Sequence, residues 1–113
     1  LEIGMTRLVI IESPYAGDVD ANVAYARRAM RDSLDRGEYP IASHLLYTQP
    51  GILDDSVPEE RALGIAAGLA WRAVADRAVF YVDLGWSTGM TAARELYRKE
   101  LFPIEIREIG SAA

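Results

Sequence analysis

Arg7 to Gly37 reads RLVIIESPYAGDVDANVAYARRAMRDSLDRG, and the order of its parts decides the fold. Arg7 to Ile11 is a short apolar run rich in β-branched residues, without polar alternation. Such a run suits a strand buried on both faces, as in a parallel sheet. Glu12 to Gly17 follows as a loop at its C-terminal end. Asp18 or Asp20 can cap the next helix, whose apolar line is Val19, Val23, Ala26, Met30 and Leu34. Gly37 stands where a helix ends in a left-handed turn.

The same alternation continues outward from this unit. Tyr39 to Ser43 reads as a second strand, with Pro40 near its start, where a missing donor is tolerable. Pro50-Gly51 is turn punctuation. Ser56-Val57-Pro58-Glu59 predicts a capping box, with Ser56 as N-cap. The helix it opens runs to about Ala75, with Leu63, Ala66, Ala67, Ala70 and Val74 as a core-facing stripe. A second line, Glu60, Gly64 and Gly68, repeats every four residues. A mid-helix glycine costs about 1 kcal/mol against alanine, so something is expected to approach the backbone there: a strand, a partner helix or a planar ligand. Ala78 to Val82 reads as a third strand, and Met90, Ala93, Tyr97 and Leu101 line one side of another helix. Ile104 to Ile109 alternates like a half-exposed edge strand.

A β-α-β-α-β-α-β order predicts an α/β fold: a three-layer, Rossmann-like or flavodoxin-like parallel sheet of about four to five strands, with flanking helices. Residues 5–113 are read as a single domain, and Leu1 to Gly4 as an N-terminal extension ahead of Met5. No apolar run is long enough to span a bilayer, and no leader-like pattern opens the chain. The absence of cysteine rules out disulfides and thiolate chemistry and fits a cytoplasmic setting. A net charge of −5 argues against long nucleic acid as a partner. Arg27, Arg28 and Arg31 are interleaved with acids and read as a solvated face. His44 is the single histidine, so a metal site is not expected, nor is a cofactor.

In a doubly wound sheet, ligands bind beyond the carboxyl ends of the strands, where strand order reverses. That rule selects the loops carrying Glu12 to Gly17, Ser43 to Asp55, and Asp83 to Met90. Glu12 and Asp83 would both be delivered into one crevice. Two carboxylates beside a sugar are what N-glycosidic chemistry requires, one at the anomeric carbon and one handling a proton. The plain alternative pairs Glu12 with an arginine and uses Asp83 to cap a turn. Free N–H groups at the helix start after Ser87-Thr88-Gly89-Met90 favour an anion, although ordinary capping by Ser87 or Thr88 explains the same residues. No Walker lysine, dinucleotide glycine fingerprint or serine elbow is present. His44 is read either in a structural hydrogen-bonding role, toward the Asp54-Asp55 turn, or in a catalytic one. Tyr15, Tyr47 and Trp86 offer flat faces for a base, or simply pack.

Several of these segments together resemble a family. Ile10-Ile11-Glu12-Ser13-Pro14-Tyr15 resembles the opening of nucleoside 2-deoxyribosyltransferase-like proteins, as do Ala75-Asp76, Asp83 and Ser87-Thr88-Gly89-Met90. Ser43-His44 through Asp54-Asp55, Pro58-Glu59-Glu60-Arg61 and Gly64-Ile65 are similar to small members from bacteria and phages. The likeness extends from about Arg7 to Arg107. It implies a domain that binds a nucleoside or nucleotide and, in active members, breaks or transfers its N-glycosidic bond. Tyr15 matches the family's tyrosine and Asp83 one of its aspartates. The nucleophilic glutamate, however, falls at Ala93 or, in a second register, at Thr91. Glu95 should face away, because two residues turn about 200° around a helix. The other aspartate falls at Gly68.

The resulting expectation names Tyr15, Glu12 and Asp83 as catalytic residues. Ser13, Pro14, His44, Asp54, Ser87, Gly89 and Met90 would bind the ligand. A catalytically inactive nucleotide-binding or interaction module is the alternative. The Gly64/Gly68 face and the resemblance both imply a homodimer or larger assembly.

Overall fold

A computed structural model describes residues 7–110; the N-terminal extension expected at residues 1–4 lies outside them. Four strands, β1 (Leu8–Glu12), β2 (Tyr39–Ile41), β3 (Arg77–Tyr81) and β4 (Ile104–Arg107), form one sheet in the order β2-β1-β3-β4. Every pairing is parallel. Helices α1 (Val19–Asp35), α2 (Ser43–Leu46), α3 (Pro58–Ala70) and α4 (Thr88–Lys99) connect them. This is the expected three-layer α/β architecture of Rossmann-like or flavodoxin-like type. Strand order reverses between β1 and β3, so the loops after those two strands flank the switch point.

The pleat sorts side chains to two faces. Val9 and Ile11 of β1 and Val79 and Tyr81 of β3 pack with Tyr25 and Ala29 of α1. Ile10, Ala78 and Phe80 pack on the other face with Met90 and Tyr97 of α4 and with Leu69 of α3. Both faces of the central strands are therefore covered, which is why their sequences are continuously apolar.

Helix boundaries follow local chemistry. Asp18 caps α1 by accepting from the Ala21 amide, and Gly37 takes φ 84° just past its end. The buried face of α1 is displaced from the expected line: Asn22, Tyr25, Ala26, Ala29 and Ser33 face inward, while Leu34 is half exposed. Pro58 opens α3 at its first position, so Val57 is the N-cap and the expected Ser56–Glu59 capping box does not form. Ser56 instead donates to Asp54 Oδ1 at 2.6 Å.

The α3 stripe is also reversed. Leu63 and Val74 are more than half exposed, and Gly68 is the helix's buried residue. What approaches the glycine line is the chain's own α2 and the loop after it. A Cβ at Gly68 would fall on the Ser43 side chain, 2.7 Å from its Cβ, and one at Gly64 would sit 3.4 Å from Leu53 Cδ1. That face is thus used internally and offers no surface for a second subunit.

Along α4, Met90, Ala93 and Tyr97 face the core as expected, but the helix ends before Leu101, which is 89 % exposed at φ 56°. On β4 the charged residue is the buried one. Arg107 forms a paired contact with Glu38 at 2.9 and 3.0 Å and donates to Tyr81 Oη at 2.9 Å. Ile106 is half exposed.

A candidate acid site at the switch point

Glu12 is the last residue of β1 and follows the pleat to the α4 face. The buried Tyr97 hydroxyl donates to its Oε2 at 2.6 Å. Burial pushes the Glu12 carboxyl up to about 7, and the Tyr97 hydrogen bond only partly opposes this. The group therefore holds a proton close to neutral pH, the state a general acid needs. The same burial, and the Glu12 charge beside it, raise the Tyr97 phenol. Phe80, paired in register with Glu12, stacks 5.1 Å from Trp86, over which Arg94 sits at 4.9 Å.

Asp83 follows β3 but faces the other side of the sheet. It accepts from the Tyr25 hydroxyl, from the Ile109 amide at 2.9 Å and from the Gly110 amide at 2.9 Å. Burial alone would raise its carboxyl, but the Tyr25 hydroxyl and these amides outweigh that and hold it below its ordinary value. Tyr25 belongs to the α1-side cluster, whereas Tyr97 belongs to the α4-side cluster. The expected pair of carboxylates in one crevice is not formed: Glu12 and Asp83 are anchored on opposite faces. Asp83 ties the C-terminal segment to α1.

Ser13 and His44 do meet. Ser13 Oγ and His44 Nε2 are 2.7 Å apart, and burial pushes the imidazole down to about 4, so it is neutral at pH 7. His44 is thus tied to the β1 loop rather than to the Asp54-Asp55 turn. Pro14 is buried and Tyr15 half-buried beside them, and the Tyr15 carbonyl accepts from Asn22 Nδ2 at 2.9 Å. The loop after β1 is therefore pinned to both α1 and α2. Asp54 is exposed and caps its own turn, accepting from the Ser56 amide and hydroxyl, which hold its carboxyl low. Its Oδ1 is thus engaged within its own turn.

At the start of α4, Ser87 Oγ accepts from the Met90 amide at 3.2 Å, which is ordinary capping. The Met90 amide is consequently engaged, and its side chain is core. Gly89 is exposed, and a Cβ there would lie 3.8 Å from Arg61 Nη2. Arg61, which sequence reasoning placed only within a resemblance, thus brings the first turn of α3 beside that of α4. Its Nη1 donates to Asp55 Oδ2 at 2.7 Å. Ala93 packs in the core, Thr91 is exposed, and Glu95 is exposed and paired with Arg98. None of these three supplies a carboxylate to the Glu12 side.

Of the three loops expected to frame a hollow for a sugar joined to a base, the one after β2 borders a small cavity. That cavity, of about 60 Å³, lies between α2 and α3, lined by His44, Tyr47, Asp55, Arg61 and Gly64 among others. Ligand pockets ordinarily measure roughly 300 Å³ or more. The glycine line of α3 lets α2 fall close, and that is what keeps this cavity small. A wider groove of about 380 Å³ lies elsewhere, at the amino ends of the strands, and is apolar. Among the described residues, no group of three or more His, Asp or Glu side chains is gathered to hold a metal ion, and no helix is long and apolar enough to cross a membrane.

These features define a parallel α/β domain with a partly buried acid, Glu12, hydrogen-bonded by Tyr97 at its topological switch point. Residues 7–107 match the family model described as Domain of unknown function (DUF7768), and the chain belongs to that family. No curated protein and no solved structure matches the chain.

Proposed function

We propose that the domain is a cytoplasmic nucleoside- or nucleotide-binding protein that cleaves or transfers an N-glycosidic bond, with Glu12 as its acid. The observation that carries this reading is the Glu12 carboxyl held at the carboxyl end of β1 by the Tyr97 hydroxyl at 2.6 Å, where burial pushes it up to about 7. The resemblance to nucleoside 2-deoxyribosyltransferases supplies the substrate class. With Asp83 held on the other face, this reading gives both proton transfers to Glu12 in turn. Glu12 donates its proton to the leaving base as the C1′–N bond breaks. Its carboxylate then takes a proton from the water whose oxygen bonds to C1′. Ser13 and His44 hold the loop beside it, and Tyr15 and Trp86 offer aromatic surface at the rim.

The second reading is a binding or interaction module without turnover. It is favoured by the small 60 Å³ cavity and by the engagement of Asp83. A panel of nucleosides and deoxynucleotides separates the two. The catalytic reading expects released base from at least one of them, lost in Glu12→Gln. Thermal stabilisation by a nucleotide with no base released selects the module. Neither effect with any member would overturn nucleoside or nucleotide binding in both readings and leave the interaction module.

A further inference from the structure

Ser13 stands immediately past the carboxyl end of β1, beside the switch point of the sheet. It is buried, with 7 % of its surface open. Its hydroxyl lies 2.7 Å from Nε2 of His44, 31 residues further along the chain. Thr48 Oγ1 donates to the His44 carbonyl at 2.7 Å, which fixes the backbone that carries the ring. A serine that only packs can satisfy its hydroxyl on nearby backbone; this one is held by the chain's single histidine. Burial keeps that imidazole neutral at pH 7, so it has a lone pair to receive a proton. A hydroxyl within hydrogen-bond reach of such a base is the arrangement that activates a serine nucleophile. The ring is also a wall of the 60 Å³ cavity, whose other titratable lining residues are Tyr47, Asp55, Glu60 and Arg61. That volume holds about four waters, and so a short acyl group but not a long chain.

We propose that Ser13 and His44 are a nucleophile and its base, which transfer a short acyl group from an activated ester to water. In the first half, Ser13 Oγ bonds to the ester carbonyl carbon and its proton passes to His44 Nε2. The bond from that carbon to the leaving oxygen breaks, and Nε2 gives the proton to the departing group. In the second half, a water oxygen bonds to the acyl carbon and a water proton passes to Nε2. The carbon–Oγ bond then breaks, the acid leaves, and the proton returns to Ser13 Oγ. Pro14 follows the nucleophile and has no N–H, so the backbone donor that a serine hydrolase commonly takes from that position is missing. The substrate class is therefore an ester with a good leaving group, such as a phenolate, which needs less help at its carbonyl oxygen. The activity uses neither Glu12 nor a nucleoside.

The probe is p-nitrophenyl acetate, added to the intact chain. Nitrophenol should be released in a burst, because the acetyl–Ser13 ester has a poor leaving group and accumulates. Mass spectrometry after an acid quench should place the acetyl group on Ser13. Ser13→Ala should lose burst and adduct, and His44→Gln should acylate at least about a hundredfold more slowly, with circular dichroism reporting that each is folded. Should either variant not fold, the wild-type pH profile decides. Acylation carried by His44 is level around neutral pH and falls toward about pH 4 as the imidazole takes up a proton. A rate that climbs about tenfold per pH unit is instead that of a hydroxyl with no base. The octanoyl ester should acylate Ser13 more slowly than the acetyl ester. An unmodified Ser13, an adduct that survives Ser13→Ala, a His44→Gln variant acylated at the wild-type rate, a climbing profile or a faster octanoyl ester would overturn the proposal.

Discussion

Glu12 ends β1 and Asp83 lies two residues past the end of the neighbouring parallel strand β3, yet the two carboxyls are held in opposite states. Glu12 receives one phenol hydrogen bond in a largely apolar surrounding, and its carboxyl rises to about 7. Asp83 receives a phenol and two backbone amides at an exposed position, and its carboxyl falls below the ordinary value. Position at a strand's carboxyl end therefore does not make an acid catalytic. The balance between lost water and gained donors decides which of the two keeps a proton at neutral pH.

The largest expected effect is on turnover. With a nucleoside that is hydrolysed, Glu12→Gln should lose at least about a hundredfold in base release, since the amide cannot deliver the proton. Asp83→Asn should lose little at temperatures where it remains folded. If the two variants lose activity equally, the distinction between the two faces fails.

Next comes stability against pH. Glu12 in the native state titrates near 7, well above the ordinary 4.5, so the unfolded chain releases its proton first. Its contribution is complete below about 4.5 and disappears as pH rises to about 7, a change of up to about 3 kcal/mol. His44 has the reverse sign: its native value of about 4 lies below the ordinary 6.5, so its contribution is present above 6.5 and is lost as pH falls. The two slopes oppose each other between about pH 4.5 and 6.5. In Glu12→Gln, urea unfolding should reveal the rising His44 slope alone, together with greater stability than wild type above pH 7. Unchanged pH dependence would contradict a Glu12 carboxyl raised to about 7.

A smaller effect is expected from Asp83→Ala, which strands two amides and a phenol. A loss of about 1–2 kcal/mol should accompany faster hydrogen exchange at Ile109 and Gly110. Because the Asp83 carboxyl is lowered, that stability should be lost as pH falls through its native value, the opposite sense to Glu12. Smallest is Ser87→Ala, about 1 kcal/mol from the lost cap on α4. A Ser87→Ala variant with an unchanged melting temperature but weaker nucleotide binding would instead make Ser87 a ligand residue.

Much of the fold was legible because it rests on patterns that repeat locally. The β-branched runs of β1 and β3, the Asp18 cap and Gly37 each act over a few residues. The α3 stripe was misread for a physical reason: periodicity identifies an apolar face but not what covers it. In α3 the glycines, carrying no side chain, mark the inward face, and the alanines point out. Arg107 was invisible for a similar reason, since its burial depends on Glu38 and Tyr81 from two other segments. At the site, Glu12 could be placed at a strand end, but its tyrosine partner lies 85 residues away. The separation of Glu12 from Asp83 could have been anticipated from parity. The pleat sends Ile10 and Glu12 to the face of Phe80, and Tyr81 and Asp83 to the other.

A carbon-13 NMR titration of the Glu12 side-chain carboxyl tests the central claim most directly. A midpoint near 7, moving when Tyr97 is replaced by phenylalanine, is the predicted result. A midpoint near 4.5, the ordinary glutamate value, would contradict it.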